Sequence, residues 1–213
     1  MYKPSIGLSL EGLPFIFFTT VATLTFALFD CWFMATVLLV ALFFVLNFFR
    51  DPERVIPQEP GVAVSPADGK VIKVETMRDP MTGEDRTTVC VFMNVFNVHV
   101  NRLPVAGRIA RISYFGGKFL NASFDKASTD NERNAVLVED AAGQSWTVVQ
   151  IAGLIARRII CWSEEGDSLK RGQRFGLIKF GSRVDLYLPA GYDANVRIGD
   201  KVFAGQSILA RKK

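Results

Sequence analysis

Gly166-Asp-Ser-Leu-Lys-Arg-Gly-Gln173 returns 33 residues later as Gly199-Asp-Lys-Val-Phe-Ala-Gly-Gln206. The shared pattern is G-D-x-Φ-x-x-G-Q, where Φ is apolar. Each copy predicts a turn, a short strand and a second turn, with the glycines giving the freedom a tight β corner needs. Between the copies lies Phe175-Gly-Leu-Ile-Lys-Phe-Gly-Ser-Arg-Val184. A Gly-Ser bond between two apolar, strand-like runs is a place where a chain can cut itself. The serine hydroxyl can attack the carbonyl on its own N-terminal side, and glycine has no Cβ to block the approach. Gly181 and Ser182 are therefore the candidate cleavage site.

Outward from this segment, short Val/Ile/Phe-rich runs alternate with Gly, Asp and Asn. Strands are predicted at Gly69–Glu75, Thr87–Phe92, Arg108–Tyr114, Ala135–Glu139, Trp146–Ile151 and Val184–Leu188. No long amphipathic helix stands out in this half. Ile151–Trp162 reads as a strand or a short buried helix, and Asp125–Asn134 as a polar loop. The fold class is mainly β. The two repeat copies look like the pseudo-symmetric halves of a flattened barrel of the lipoyl or biotinyl type, with the segment between them as a hairpin.

The N-terminus is different. Leu13–Phe29 and Cys31–Phe49 are uncharged and mostly apolar, and Asp30 interrupts them. Each would make a helix of roughly 25 to 28 Å, near the thickness of a bilayer core. A helical hairpin over residues 1–50 follows, then a proline-bearing linker over 51–62, then a domain over 63–213. Lys3 precedes the hairpin, Arg50 and Arg54 follow it, and its turn holds no Lys or Arg. The positive-inside rule then puts both ends, and the domain, on the cytoplasmic side of the cell membrane. A hairpin dipping into one leaflet is the alternative, because both stretches are short for full spans.

Composition narrows the function classes. The chain is 49% hydrophobic with net charge +4. That mild basicity suits an anionic membrane surface and is too dispersed for nucleic acid. The three cysteines, Cys31, Cys90 and Cys161, are odd in number and widely spaced, so they read as buried small hydrophobes. With one histidine and no CxxC, no metal site is expected.

Three residues could carry chemistry. Asp68 lies in Ser65-Pro-Ala-Asp-Gly-Lys70, His99 in Asn97-Val-His-Val-Asn-Arg102, and Ser182 at the Gly-Ser bond. Taken singly they read as a turn aspartate, a rim histidine and a turn serine. Together they are the parts of a triad, in which carboxylate orients imidazole and imidazole takes the hydroxyl proton.

The chain resembles the phosphatidylserine decarboxylase family in its short, pyruvoyl-dependent form. The matching pieces are Phe49-Arg-Asp-Pro-Glu-Arg54, Ser65-Pro-Ala-Asp-Gly69, Asn97-Val-His99 with Arg102-Leu-Pro104, Asn131-Glu-Arg133 and Gly176-Leu-Ile-Lys-Phe-Gly-Ser182, in the expected order. The resemblance implies self-cleavage at Gly181–Ser182 into a large chain 1–181 and a small chain 182–213, which stay associated. Ser182 would become a pyruvoyl group, with His99 as proton acceptor held by Asp68. That group would decarboxylate phosphatidylserine to phosphatidylethanolamine through an imine. Membrane lipid is the implied partner, and a homo-oligomer is compatible.

Two departures stand out. Longer members carry two histidines spaced H-x-x-H, whereas this chain reads His99-Val-Asn-Arg102. Either one histidine serves both stages or another group handles the second proton, and Arg102 is a candidate for binding a substrate phosphate or carboxylate. Members commonly have threonine after the serine, and here it is Arg183. Rival readings fit less well. A transport adaptor needs coiled-coil heptads between the barrel halves, a lipoyl carrier needs a Met-Lys-Met type of tip around Lys179, and a serine hydrolase needs a G-x-S-x-G elbow.

Overall fold

In the computed structural model, which describes residues 7–124, 126–154, 158–179 and 181–213, the two apolar stretches form α1 (Leu13–Leu28) and α2 (Trp32–Phe48). The chain reverses at Asp30, whose φ of +57° is a left-handed conformation that aspartate tolerates better than most residues. The open end of the pair is closed by backbone bonds from Ser9 N to Phe49 O and from Asp51 N to Gly7 O. The hydroxyls of Thr19, Thr20, Thr23 and Thr25 donate to the carbonyl four residues earlier. Those bonds leave no hydroxyl of α1 in need of water. Among the described residues one helix, Leu10–Leu28, is long and apolar enough to cross a membrane. Lys3, part of the charge argument, lies outside the described residues.

The described residues divide into two compact units at Glu53–Arg54. The second is mainly β. Its strands are β1 (Val62–Val64), β2 (Gly69–Arg78), β3 (Asp85–Met93), β4 (Val100–Arg102), β5 (Gly107–Phe115), β6 (Arg133–Asp140), β7 (Ser145–Ala152), β8 (Ile159–Cys161), β9 (Ser168–Leu169), β10 (Arg174–Ile178), β11 (Ser182–Tyr187), β12 (Tyr192–Ala194), β13 (Lys201–Val202) and β14 (Ile208–Lys212). They build a curled eight-stranded sheet, β13-β2-β3-β11-β7-β6-β5-β9, and two three-stranded sheets, β1-β14-β12 and β4-β10-β8. All six long runs expected to be strands are strands. The polar run from 125 also contains a single helical turn, α3 (Ala127–Asp130), because Ala127 is buried against Ala135, Val149 and Tyr187. Ile151–Trp162 splits between β7 and β8, and residues 155–157 lie outside the described residues.

These sheets are related by a pseudo-twofold that passes between β11 and β7. It exchanges β13 with β9, β2 with β5 and β3 with β6, and the two small sheets with each other. Equivalent bonds repeat: Val71 N to Asp200 O matches Ile109 N to Asp167 O, and Val64 N to Pro104 O matches Arg102 N to Pro66 O. Gly172 and Gly205, one from each repeat copy, sit side by side. A Cβ on Gly205 would lie 3.7 Å from the Gly172 Cα. A second repeat marks the same symmetry, Ser65-Pro-Ala-Asp-Gly-Lys-Val71 against Leu103-Pro-Val-Ala-Gly-Arg-Ile109. Gly69 and Gly107 both sit where a Cβ would strike a partner-strand carbonyl, of Phe92 and Glu139 respectively.

Residues 100–178 form one half, inserted into the other between β3 and β11. Among the described residues, the chain enters this half at 94–99 and leaves it between Lys179 and Gly181. The hairpin expected between the repeat copies is therefore not formed. β10 pairs with β4 and β8, whereas β11 pairs with β3 and β7. The two strands belong to different sheets, because each completes a different half.

β11 is buried along its whole length. Val184 and Leu186 join the main core with Val89, Val91, Val136 and Val148, while Tyr187 joins a smaller cluster on the opposite face. Cys90 is buried beside it. Burial first, then the Asp185 carboxylate, pushes its thiol far up, so it behaves as an inert hydrophobe.

Candidate active site

The two crossovers between halves meet. His99 ends the first and Gly181 ends the second, and the Gly181 N–H points at His99 Nε2, 3.4 Å away. His99 Nδ1 lies 2.9 Å from the Asn97 carbonyl, an acceptor only, so Nδ1 carries the proton and Nε2 keeps its lone pair. The buried imidazole thus turns an accepting nitrogen toward the candidate cleavage segment. Gly181 has φ +66°, the left-handed region that favours glycine. Ser182 follows as the first residue of β11, fully buried, with its Oγ 4.0 Å from Met93 Sδ. Phe180, part of the cleavage motif, lies outside the described residues.

Gly153 is a site residue that the sequence reading missed. A Cβ there would lie 2.2 Å from the Gly181 carbonyl oxygen, the carbonyl that Ser182 would attack. Only glycine lets β7 end this close to the candidate cleavage bond. The bond borders an apolar pocket of about 250 Å³, lined in part by Phe92, Val95, Ala122, Gly153, Leu154 and Gly181. Asn131, noted in sequence only as a motif member, fastens one wall. Its Nδ2 donates to the carbonyls of Leu120 and Ala152, and its Oδ1 accepts from Leu120 N.

Asp68 is buried, with Oδ2 accepting from Arg54 Nη2 at 2.8 Å and Oδ1 from Ala204 N at 2.7 Å. Arg54 also donates to Gln206 Oε1 and lies 5.8 Å above the Phe203 ring. Asp68 therefore joins the start of the linker to the second repeat copy. Arg102 is buried as well. Its Nη1 donates to the Gly172 carbonyl at 3.0 Å, and its Cδ packs 3.0 Å from where a Gly205 Cβ would be.

Arg183 turns to the sheet face opposite Ser182 and makes a bidentate pair with Asp185, at 2.7 and 2.6 Å. Both side chains have no exposed surface. Burial alone would lower the Arg183 pKa, but the Asp185 charge and hydrogen bonds, with smaller contributions from Cys90 and Tyr187, together outweigh it, so the guanidinium stays charged. Its Nη1 also reaches the carbonyls of Ala122 and Phe124, on the segment that lines the pocket.

The sequence profile described as phosphatidylserine decarboxylase matches residues 41–210. A phosphatidylserine decarboxylase proenzyme of Nitratidesulfovibrio vulgaris is 64% identical over 212 residues, covering 100% of this chain and 98% of that one. Proenzymes of the same description from Oleidesulfovibrio alaskensis and Burkholderia vietnamiensis are 60% and 51% identical, covering 100% and 99% of this chain and 98% of each relative. The chain belongs to the phosphatidylserine decarboxylase family, and with it to the carboxy-lyases.

His99→Ala is expected to slow self-cleavage by about 100-fold or more, the usual contribution of a positioned general base. Following the precursor band with time checks this. Cleavage at the wild-type rate would remove His99 from the first stage.

Proposed function

We propose that this chain cuts itself between Gly181 and Ser182 and then decarboxylates phosphatidylserine to phosphatidylethanolamine at a membrane. The observation that carries this reading is the basic Nε2 of His99 beside a Gly-Ser bond whose carbonyl is pressed against Gly153. Ser182 Oγ, losing its proton to His99, attacks the Gly181 carbonyl and the acyl group moves from nitrogen to oxygen. Elimination breaks the Ser182 Cβ–O bond, leaving a Gly181 carboxylate and dehydroalanine at 182. Water then replaces ammonia and a pyruvoyl ketone remains. That ketone supplies an electron sink for loss of carbon dioxide.

The fit of such a group to position 182 is supported by the site itself. Its neighbours Gly181 and Gly153 put no side chain over the new terminus, and the pocket opens beside it. We assign the orienting role on the base to the Asn97 carbonyl, on its 2.9 Å contact with Nδ1. Asp68 is read as the residue that organises the Arg54 corner, and Arg102 as a brace between the repeat glycines. His99 is also our choice of proton donor for the second stage.

The small chain 182–213 would stay bound without a covalent link, since β11 is hydrogen-bonded along both edges to β3 and β7 and β14 pairs with β1. Domains are read as the hairpin 1–50, the linker 51–62 and the catalytic domain 63–213. The exchange of equivalent strands across the pseudo-twofold favours the flattened barrel of lipoyl type. The charge placement around the hairpin favours a catalytic domain on the cytoplasmic side.

Denaturing mass spectrometry of the purified protein tests this reading. Two species are expected, one ending at Gly181 and one beginning with a blocked residue 182. Ser182→Ala is expected to remain a single chain and to release no carbon dioxide. A wild-type chain that stays whole at 23.7 kDa after incubation in lipid would sink the pyruvoyl mechanism.

A further inference from the structure

Two lysines face each other at the β2–β13 edge of the large sheet. Lys70 and Lys201 are direct partners in the ladder, so both side chains leave the same face, and both are exposed. Like charges placed directly opposite weaken a strand pair. Nothing in the architecture demands them, because at the pseudo-symmetric position Arg108 faces Ser168. The neighbouring acid, Asp200, is turned onto the Arg197 amide at 2.8 Å.

The lysines line a cleft of about 360 Å³ together with Asn94, Asn97 and two exposed aromatic rings, Phe96 and Phe203. No carboxylate lines it among the described residues. Phe92 and Asn94 line both this cleft and the pocket beside Gly181, so the two share a wall.

Paired ammonium groups flanked by exposed rings match the boundary between lipid and water. The rings enter the interface while the cations meet phosphate. A free anion in water would neutralise the lysines and leave the rings exposed. We propose that this cleft seats the phosphate of an anionic bilayer lipid other than the molecule being decarboxylated, and so holds the pocket mouth against the lipid surface. This rests on the phosphatidylserine decarboxylase reading.

The test uses the full, self-processed protein in phosphatidylcholine vesicles holding about 5 mol% phosphatidylserine, with or without about 30 mol% phosphatidylglycerol. Phosphatidylglycerol is expected to raise wild-type carbon dioxide release by about 3- to 10-fold. Lys70→Gln/Lys201→Gln is expected to keep the rate seen without phosphatidylglycerol and to lose most of the rise. Lys70→Arg/Lys201→Arg should retain the rise, and Phe96→Ser/Phe203→Ser should blunt it by an independent route.

An equal rise in the glutamine variant, or a wild-type rate indifferent to phosphatidylglycerol, overturns the proposal and leaves the decarboxylase reading intact. A rise produced equally by soluble glycerol phosphate overturns it in favour of a free phosphate ligand. No carbon dioxide from wild type in any vesicle overturns the decarboxylase reading and this proposal with it.

Discussion

Gly153→Ala is expected to leave a folded but uncut precursor. The new Cβ would lie 2.2 Å from the Gly181 carbonyl oxygen, far inside contact distance, and the atom it meets is backbone at the residue leading into the central strand β11. Either β7 or the scissile carbonyl must move by about an ångström. A misplacement of that size costs a reaction about 100-fold. The packing penalty is on the order of 1–3 kcal/mol, which a folded domain can absorb. A matched control is Gly107→Ala, whose Cβ would meet the Glu139 carbonyl at 2.5 Å, away from the crossovers. Both variants should melt at lower temperature, but only Gly153→Ala should accumulate precursor on a denaturing gel. If Gly153→Ala processes at the rate of Gly107→Ala, the close approach plays no part in self-cleavage.

Much of this was legible in the residues, and the gaps have physical causes. Val/Ile-rich runs gave the long strands, most plainly at β3 and β7, where burial of consecutive residues leaves a nearly unbroken apolar signature. The apolar helices and their turn at Asp30 were equally plain. The G-D-x-Φ-x-x-G-Q repeat pointed to the internal symmetry, but the hairpin inferred from it was wrong. Which strands pair depends on the insertion of residues 100–178, and local pattern does not encode that. The second repeat was present and passed over, since only its proline and glycine are identical. Asp68, His99 and Ser182 were read as parts, whereas the approach of His99 to the Gly181 amide depends on topology. Gly153 carries no motif. Its place beside Gly181 follows from the register of β7 and β11, which sets Ala152 opposite Ser182. Arg183 read as a departure from the family's usual threonine. Its partner, Asp185, was two residues away, on the same face of a strand by the period-two rule.

That pair carries the second large effect. Asp185→Ala is expected to destabilise the protein by about 3–5 kcal/mol, because it leaves the Arg183 charge buried with no carboxylate. Neither side chain has exposed surface, so water cannot take over the lost partner. Among the described residues, the remaining hydrogen bonds of Arg183 go to the carbonyls of Ala122 and Phe124, at 3.4 Å each, which are too long to compensate. Replacing both partners, as in Arg183→Leu/Asp185→Leu, removes the stranded charge and should recover much of the loss. The same double change frees the Ala122–Phe124 segment from the strand that bears Ser182. Stability and function are then expected to separate. Chemical denaturation should place the double variant well above Asp185→Ala, while its KM for phosphatidylserine rises. Asp185→Ala as stable as wild type would mean that the pair contributes no net stabilisation at this site. A double variant with unchanged KM would confine the pair to holding the sheet and take it out of the shaping of the pocket.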